Sequence, residues 1–230
     1  MENLDKLKSP NVFIQIGTNT GNDSFRNLVK KYKPPIVVLV EPNQKLIPVI
    51  KKHYEFANSF SEVHIMNNAI YTEDDKEVSL FIPAKNGVYG QPGVQPERKQ
   101  GNHTYNHGKF SLLPMNDWGE KKHMIEMKAP SITFNSLCEK LNITDVDYLQ
   151  IDTEGFDSEI INNINFDKCN ISILRFERWN FGEECFSRYH DENKHKYGIN
   201  GMKYIEDKLK DYKLLDAKEA KDMIAINNNL

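Results

Sequence analysis

Apolar residues recur along this chain with two different periods, and the switches between them mark its elements. Val12–Ile16 (VFIQI) and Ile36–Val40 (IVVLV) are short, β-branched runs that predict buried parallel strands, the first closed by a glycine. Between them, residues 22–32 place Phe25, Leu28 and Val29 at helical spacing. Lys30, Lys31 and Lys33 near the end of that stretch suit a helix dipole. Strand, helix and strand make a βαβ unit. The alternation continues with a helix over 43–54, a strand over 63–66 and a candidate edge strand over 78–82. After a gap come a helix over 134–141, a strand over 146–151, a helix over 156–164 and a strand over 171–176. A helix over 201–210 and two tightly joined strands over 212–215 and 223–226 close the chain. Such alternation predicts a mainly parallel α/β sheet with helices on both faces and one antiparallel strand from the closing hairpin. No internal repeat is visible.

Residues 83–128 break the order: the segment is rich in Gly, Pro, Asn and Gln and far exceeds the roughly 4–6 residues usual for a connection. Tyr89, Tyr105, Phe110 and Trp118 give it packing capacity, so it is expected to form a lid or substrate wall within a single domain over 1–230. A formal charge of −3, with Lys-rich stretches interleaved with Asp and Glu, offers no long-range attraction for phosphate backbones. Nucleic acid is therefore not an expected partner. No stretch approaches the roughly 20 apolar residues of a membrane span, and the charged N-terminus lacks an apolar signal core, so a cytoplasmic location is expected. Cys138, Cys169 and Cys185 are odd in number and widely spaced, which predicts ordinary reduced thiols. The Asn-x-Ser/Thr sequons at Asn22, Asn102, Asn142 and Asn170 carry no weight without an export signal.

The first predicted strand runs into Gly17-Thr18-Asn19-Thr20-Gly21 and then a helix, which is where open α/β sheets bind ligands. A dinucleotide turn needs its second and third glycines for pyrophosphate approach and helix packing, and Asn19 and Asn22 stand there instead. NAD is disfavoured. A ligand without phosphates needs only Gly17 and Gly21 for close backbone approach, and S-adenosylmethionine is such a ligand. Glu41, at the tip of the second strand, is placed to accept hydrogen bonds from ribose hydroxyls.

Residues 12–23 (VFIQIGTNTGND), 38–44 (VLVEPNQ), 67–74 (NNAIYTED), 132–137 (ITFNSL) and 146–156 (VDYLQIDTEGF) resemble the successive motifs of the FkbM family of methyltransferases. The most telling piece is the strand-ending IDTEGF, followed by an apolar strand closed by Glu177. The resemblance implies a Rossmann-like methyltransferase fold and methyl transfer from S-adenosylmethionine to hydroxyls of sugars or natural products. It also implies that Asn67 and Asn68 lie near the adenine, with Ala69 beside them, and Ser111 near the cofactor. With Gln15, Gly17, Thr18, Asn19, Gly21, Glu41 and Asp152, these make the expected cofactor set. Gln15 departs from the family, which carries Asp or Glu there to order the turn and the cofactor's amino group. Gln accepts a hydrogen bond but brings no charge.

Asp152, Glu154 and Glu177 are expected to converge on the cofactor edge as the catalytic acids. One of them can take the hydroxyl proton as the methyl is transferred, or two can hold Mg²⁺ through oxygen ligands; the sequence leaves both open. The structural alternative has Asp152 ordering its turn and Glu154 paired with Arg175 or Arg178. His103 and His107 lie in the Gly- and Asn-rich segment without helical spacing support for a metal. Trp118 and Trp179 are candidates for stacking on a sugar face or for core packing. The leading expectation is an O-methyltransferase for a sugar, glycan or similar small molecule. The alternatives are a protein or small-amine methyltransferase and a non-catalytic cofactor-binding module.

Overall fold

The computed structural model describes residues 4–7, 9–83, 111–113, 124–177, 199–216 and 222–230. Its main body is built from β1 (Val12–Ile16), α1 (Ser24–Tyr32), β2 (Ile36–Val40), α2 (Ile47–Tyr54) and β3 (Glu62–Met66). A small β4 (Ala69–Ile70), β5 (Glu77–Pro83), β6 (Met124–Ile132) and α3 (Phe134–Lys140) follow. The second half contributes β7 (Asp145–Ile151), α4 (Asp157–Asn163), β8 (Asn170–Glu177), α5 (Ile199–Lys208), β9 (Tyr212–Asp216) and β10 (Asp222–Asn227). Seven strands form one sheet in the order β3-β2-β1-β7-β8-β10-β9. Neighbours from β3 to β8 pair in parallel, and β10 runs antiparallel to both β8 and β9. This is the Rossmann-like arrangement expected, with the closing hairpin inserting its second strand inside the first.

The parallel strands are apolar along their whole length because both faces are covered. Val12, Ile14 and Ile16 of β1 join one core with residues of α3, α4 and α5, among them Leu137, Ile161 and Ile205. Phe13 turns to the other face, where Phe25 and Val29 of α1 and Ile50 and Tyr54 of α2 cover it. Asp23 caps α1 by accepting from the Arg26 amide, and Lys33 closes it in a left-handed conformation. Thr133 caps α3 in the same way as Asp23 caps α1, accepting from the Ser136 amide. The helix expected over 43–54 is divided into a 3-10 turn at Gln44–Leu46 and α2, which has a proline in its first turn. Cys138 and Cys169 meet as buried free thiols with their Sγ atoms 3.8 Å apart, although distant in sequence.

One expectation is corrected. Residues 124–128, read as the end of a long loop, form the start of β6, which pairs antiparallel with β5 from Glu77↔Pro130 to Pro83↔Met124. β5 is an edge strand, but of a separate three-stranded sheet in the order β4-β6-β5. The alternation in β6 is real: Glu126, Lys128 and Pro130 are exposed while Ala129 and Ser131 are buried. Pro130 and the neighbouring Gly-rich segment masked that period in the sequence. Among the described residues no helix is long and apolar enough to cross a membrane. Tyr89, His103, Tyr105, His107, Phe110, Trp118, Arg178, Trp179 and Cys185 lie outside the described residues.

Candidate functional site

The chain leaves β1 for β2 on one side, while β7 lies on the other, so the order of strands reverses at β1. Beyond the carboxyl ends of strands at such a reversal, the connecting loops part and leave a crevice. Gly17 and Asp152 lie backbone against backbone at this reversal. The Asp152 amide donates to the Ile16 carbonyl at 3.0 Å, and a Cβ on Gly17 would come to 1.9 Å from the Asp152 carbonyl oxygen. Only glycine fits there, and its φ of 80° is one that other residues rarely adopt.

The glycine turn is held from several directions. The amides of Gly17 and Thr18 both donate to the Val40 carbonyl, at 3.0 and 3.1 Å, and the Gly21 amide donates to the Thr18 carbonyl. Thr18 is buried, and its hydroxyl donates to the Gln15 carbonyl. Asn19 takes a positive φ of 53° and Gly21 one of 69°, so the turn has three left-handed residues within five positions. Tyr54 packs under Gly21, where an added Cβ would meet its ring at 2.9 Å.

Glu41 is 2% exposed and binds backbone with both carboxylate oxygens. One accepts from the Asn19 amide at 2.7 Å and the other from the Asn43 amide at 2.8 Å. Burial raises its pKa to about 7 against these two bonds, which lower it. Asn67 donates through its side-chain amide to the carbonyls of Glu41 and Pro42, tying the end of β2 to the segment after β3. Asn68 is half-buried beside it, and Ala69 is buried at the start of β4. Asn67, Asn68 and Ala69 therefore sit on the same edge as the turn.

Gln15 is buried, and its Nε2 donates to the Asp23 carboxylate at 2.6 Å. That partner fixes the orientation of the amide. Oε1 is left buried without a hydrogen-bond partner. The carboxyl group that the resemblance leads one to expect at position 15 is thus met in the side chain that Gln15 contacts, Asp23. Sequence reading missed Asp23 as a contributor. Its signal was present as the residue after the Gly21-Asn22 pair, but a capping role accounts equally well for an Asp there.

On the β7 side, Asp152 is exposed, Glu154 is half-buried with a φ of 54°, and Gly155 has a φ of 112°. Ser111 is 1% exposed; its backbone pairs with Phe81 of β5 and its hydroxyl donates to the Glu154 carbonyl at 2.8 Å. Ser111 is therefore placed where the small sheet meets the turn after β7. Arg175 pairs with Asp222 of β10, with its Nε 2.7 Å from the carboxylate. Asp157, absent from the sequence-based site, is fully buried directly behind the turn. Among the described residues, which include Asp152, Glu154 and Glu177, no group of three or more His, Cys, Asp or Glu is arranged to hold a metal ion.

The orphaned Gln15 Oε1 beside the glycine turn suits a ligand that brings a hydrogen-bond donor to this edge. Residues 15–213 match the model of the methyltransferase FkbM domain. A search of curated protein sequences found no match. Among solved structures, the S-adenosylhomocysteine-bound methyltransferase PaMTH1 of Podospora anserina aligns with a TM-score of 0.47 at 9% identity, over 98% of this chain and 74% of that one. The precorrin-6y C5,15-methyltransferase of Geobacter metallireducens aligns with a TM-score of 0.43 at 10% identity, over 97% and 85%. At these values the alignments add nothing to what the strand order and the family match show. With that match spanning most of its length, the chain belongs to the FkbM family of S-adenosylmethionine-dependent methyltransferases.

Proposed function

We propose that the chain transfers the methyl group to a hydroxyl of a sugar, glycan or similar small molecule. The observation that supports this most directly is the position of Asp152, an exposed carboxylate whose own backbone contacts the glycine turn at the strand reversal. When bound, S-adenosylmethionine supplies a methyl group activated on a sulfonium. Gly17, Asn19 and Gly21 would form its backbone cradle, Glu41 would accept from its ribose hydroxyls, and Gln15 Oε1 is the acceptor available to its ammonium. Glu41 can serve because each carboxylate oxygen has a second lone pair beyond the backbone amide it already accepts.

Displacement at a methyl carbon asks the protein chiefly to align the acceptor and to remove its proton as the bond forms. Asp152 takes that proton in this reading, with Glu154 and Glu177 flanking it. The acceptor class rests on the family resemblance, not on the geometry. An edge bearing three acids also suits a cationic acceptor, which keeps protein or amine methylation as the second reading.

The test is incubation with radiolabelled S-adenosylmethionine and panels of glycans, small hydroxylated metabolites, proteins and amines. Label in glycans or hydroxylated metabolites is expected; label confined to proteins or amines would replace the proposal with the second reading. Asp152→Asn is expected to keep S-adenosylhomocysteine binding and to lower turnover by about 10² to 10⁴, the range of general acid–base catalysis. Loss of wild-type activity in EDTA with rescue by Mg²⁺ would assign the acids to a metal instead.

A further inference from the structure

Parallel pairing of β7 with β8 ends at Ile151↔Phe176. Past that point the ladder supplies no further bonds, yet Asp152, Glu154 and Glu177 all lie beyond or at this limit. What replaces the ladder is a single carboxylate. Asp157 opens α4 but does not cap it; its side chain turns back toward the strands. One oxygen accepts from the Thr153 amide at 2.9 Å and from the Thr153 hydroxyl, while the other accepts from the Glu177 amide at 3.0 Å. The group is fully buried, and burial pushes its pKa up to about 6 although the three donors pull the other way.

A buried carboxylate is costly, and nature offers cheaper ways to start a helix, such as a Ser or Thr cap. This one instead bridges the turn that carries Asp152 and Glu154 to the residue that is Glu177. The turn needs such restraint because Glu154 adopts a left-handed φ of 54° and Gly155 follows at 112°. Ser111 holds the Glu154 carbonyl from the opposite side.

We propose that Asp157 is a positioning residue that sets the spacing between the Asp152–Glu154 turn and Glu177 across the end of the β7–β8 pair. The inference rests on the assignment of those three acids to the acceptor side. Asp157 touches neither cofactor nor acceptor in this arrangement; it acts through the backbone of the residues that do. In Asp157→Asn the side-chain NH₂ faces either the Thr153 or the Glu177 amide, donor against donor, so the bridge opens at one end while side-chain volume is kept.

Hydrogen exchange on the full chain reads the bridge without any acceptor. In Asp157→Asn the Thr153 and Glu177 amides are expected to exchange at least about tenfold faster while Leu149, Gln150, Leu174 and Arg175 keep their protection. Unchanged protection of Thr153 and Glu177, or a uniform loss across β7 and β8, would overturn the bridge. Kinetics then read the role, using the acceptor that supports wild-type turnover in the panel above. Asp157→Asn is expected to lower kcat about 10- to 100-fold, the scale for misplacement by an ångström, with the KM for S-adenosylmethionine within about twofold. Ile161→Val, a core change in the same helix, controls for lost stability and is expected to leave kcat unchanged. Equal kcat losses in both variants at matched melting temperature, or none in Asp157→Asn, would overturn the positioning role. If Asp157→Asn does not fold, Thr153→Val removes only the hydroxyl donor and is expected to lower kcat several-fold at unchanged KM; wild-type kcat there would likewise overturn it. A wild-type enzyme inactive on every hydroxyl acceptor would sink the proposed function while the exchange pattern still decides the bridge.

Discussion

Two turns meet at the strand reversal, and each is held by a buried carboxylate that binds backbone amides. Glu41 reaches from the tip of β2 to the Asn19 amide of the glycine turn, and Asp157 reaches from the start of α4 to Thr153 and Glu177. The difference lies in what remains available. Glu41 fixes its turn through the Asn19 amide, and the proposed function also gives it the ribose hydroxyls of the cofactor. Asp157 lies fully buried behind its turn, and the acids assigned to the acceptor in the proposed function are others. In the proposed reading the cofactor half combines scaffold and contact in one side chain, and the acceptor half separates them.

The comparison breaks most severely at Gly17, which belongs to one turn and packs against the other at Asp152. Gly17→Ala sets a methyl against the Asp152 carbonyl and imposes a φ of 80° on a residue with a side chain. The expected cost is about 2–6 kcal/mol, or a fall of about 4–24 °C in melting temperature. Gly21→Ala, which meets the edge of the Tyr54 ring, should cost less. Thermal denaturation of both variants checks the order, and an unchanged melting temperature for Gly17→Ala would separate the two turns.

Glu41 gives the next effect. Glu41→Ala is expected to weaken S-adenosylhomocysteine binding by about 1.5–3 kcal/mol at pH 8, measured by calorimetry. Its pH dependence carries a particular sign. The folded value of about 7 lies above the ordinary 4.5, so the folded protein holds a proton through that window that the unfolded chain has released. Stability from this group therefore falls as pH rises from about 4.5 to about 7 and is flat above. Asp157, raised from 3.8 to about 6, contributes with the same sign in its own window. Ligand hydroxyls donating to Glu41 favour the charged form, so cofactor affinity should move oppositely, weakening by up to about tenfold per unit of pH below 7. Affinity that is independent of pH between 5.5 and 8 in the wild type would remove Glu41 from the ribose contact.

Ser111→Ala sharpens the acceptor side with the smallest expected effect. It removes the hydroxyl that donates to the Glu154 carbonyl and accepts from the Leu113 amide. A loss of about 1 kcal/mol, or about 2–4 °C, is expected, with S-adenosylhomocysteine affinity nearly unchanged. A large loss of affinity would place Ser111 against the cofactor, as the family resemblance implies.

Much of this was legible along the chain because it is local. The runs at Val12–Ile16 and Ile36–Val40 and the glycine turn after the first depend on neighbours within a few positions, and the structure places them where periodicity and turn chemistry put them. The acids at 41, 152, 154 and 177 could be assigned to one edge because parallel strands end on the same side. The roles of their oxygens could not. That Glu41 binds Asn19, that Asp23 stands behind Gln15 and that β6 starts at Met124 depend on partners 22, 8 and as many as 41 residues away in sequence. Asp157 is the clearest case: as a helix-opening Asp it reads as an ordinary first-turn acid, and only the packing of α4 against the ends of β7 and β8 turns it inward. Sequence determined the elements, their alternation and the edge on which the chemistry gathers, since these follow from local period and strand direction. Tertiary structure alone decided which carboxylates are buried against backbone amides and which stay exposed, because burial and long-range hydrogen bonds exist only once the strands are side by side.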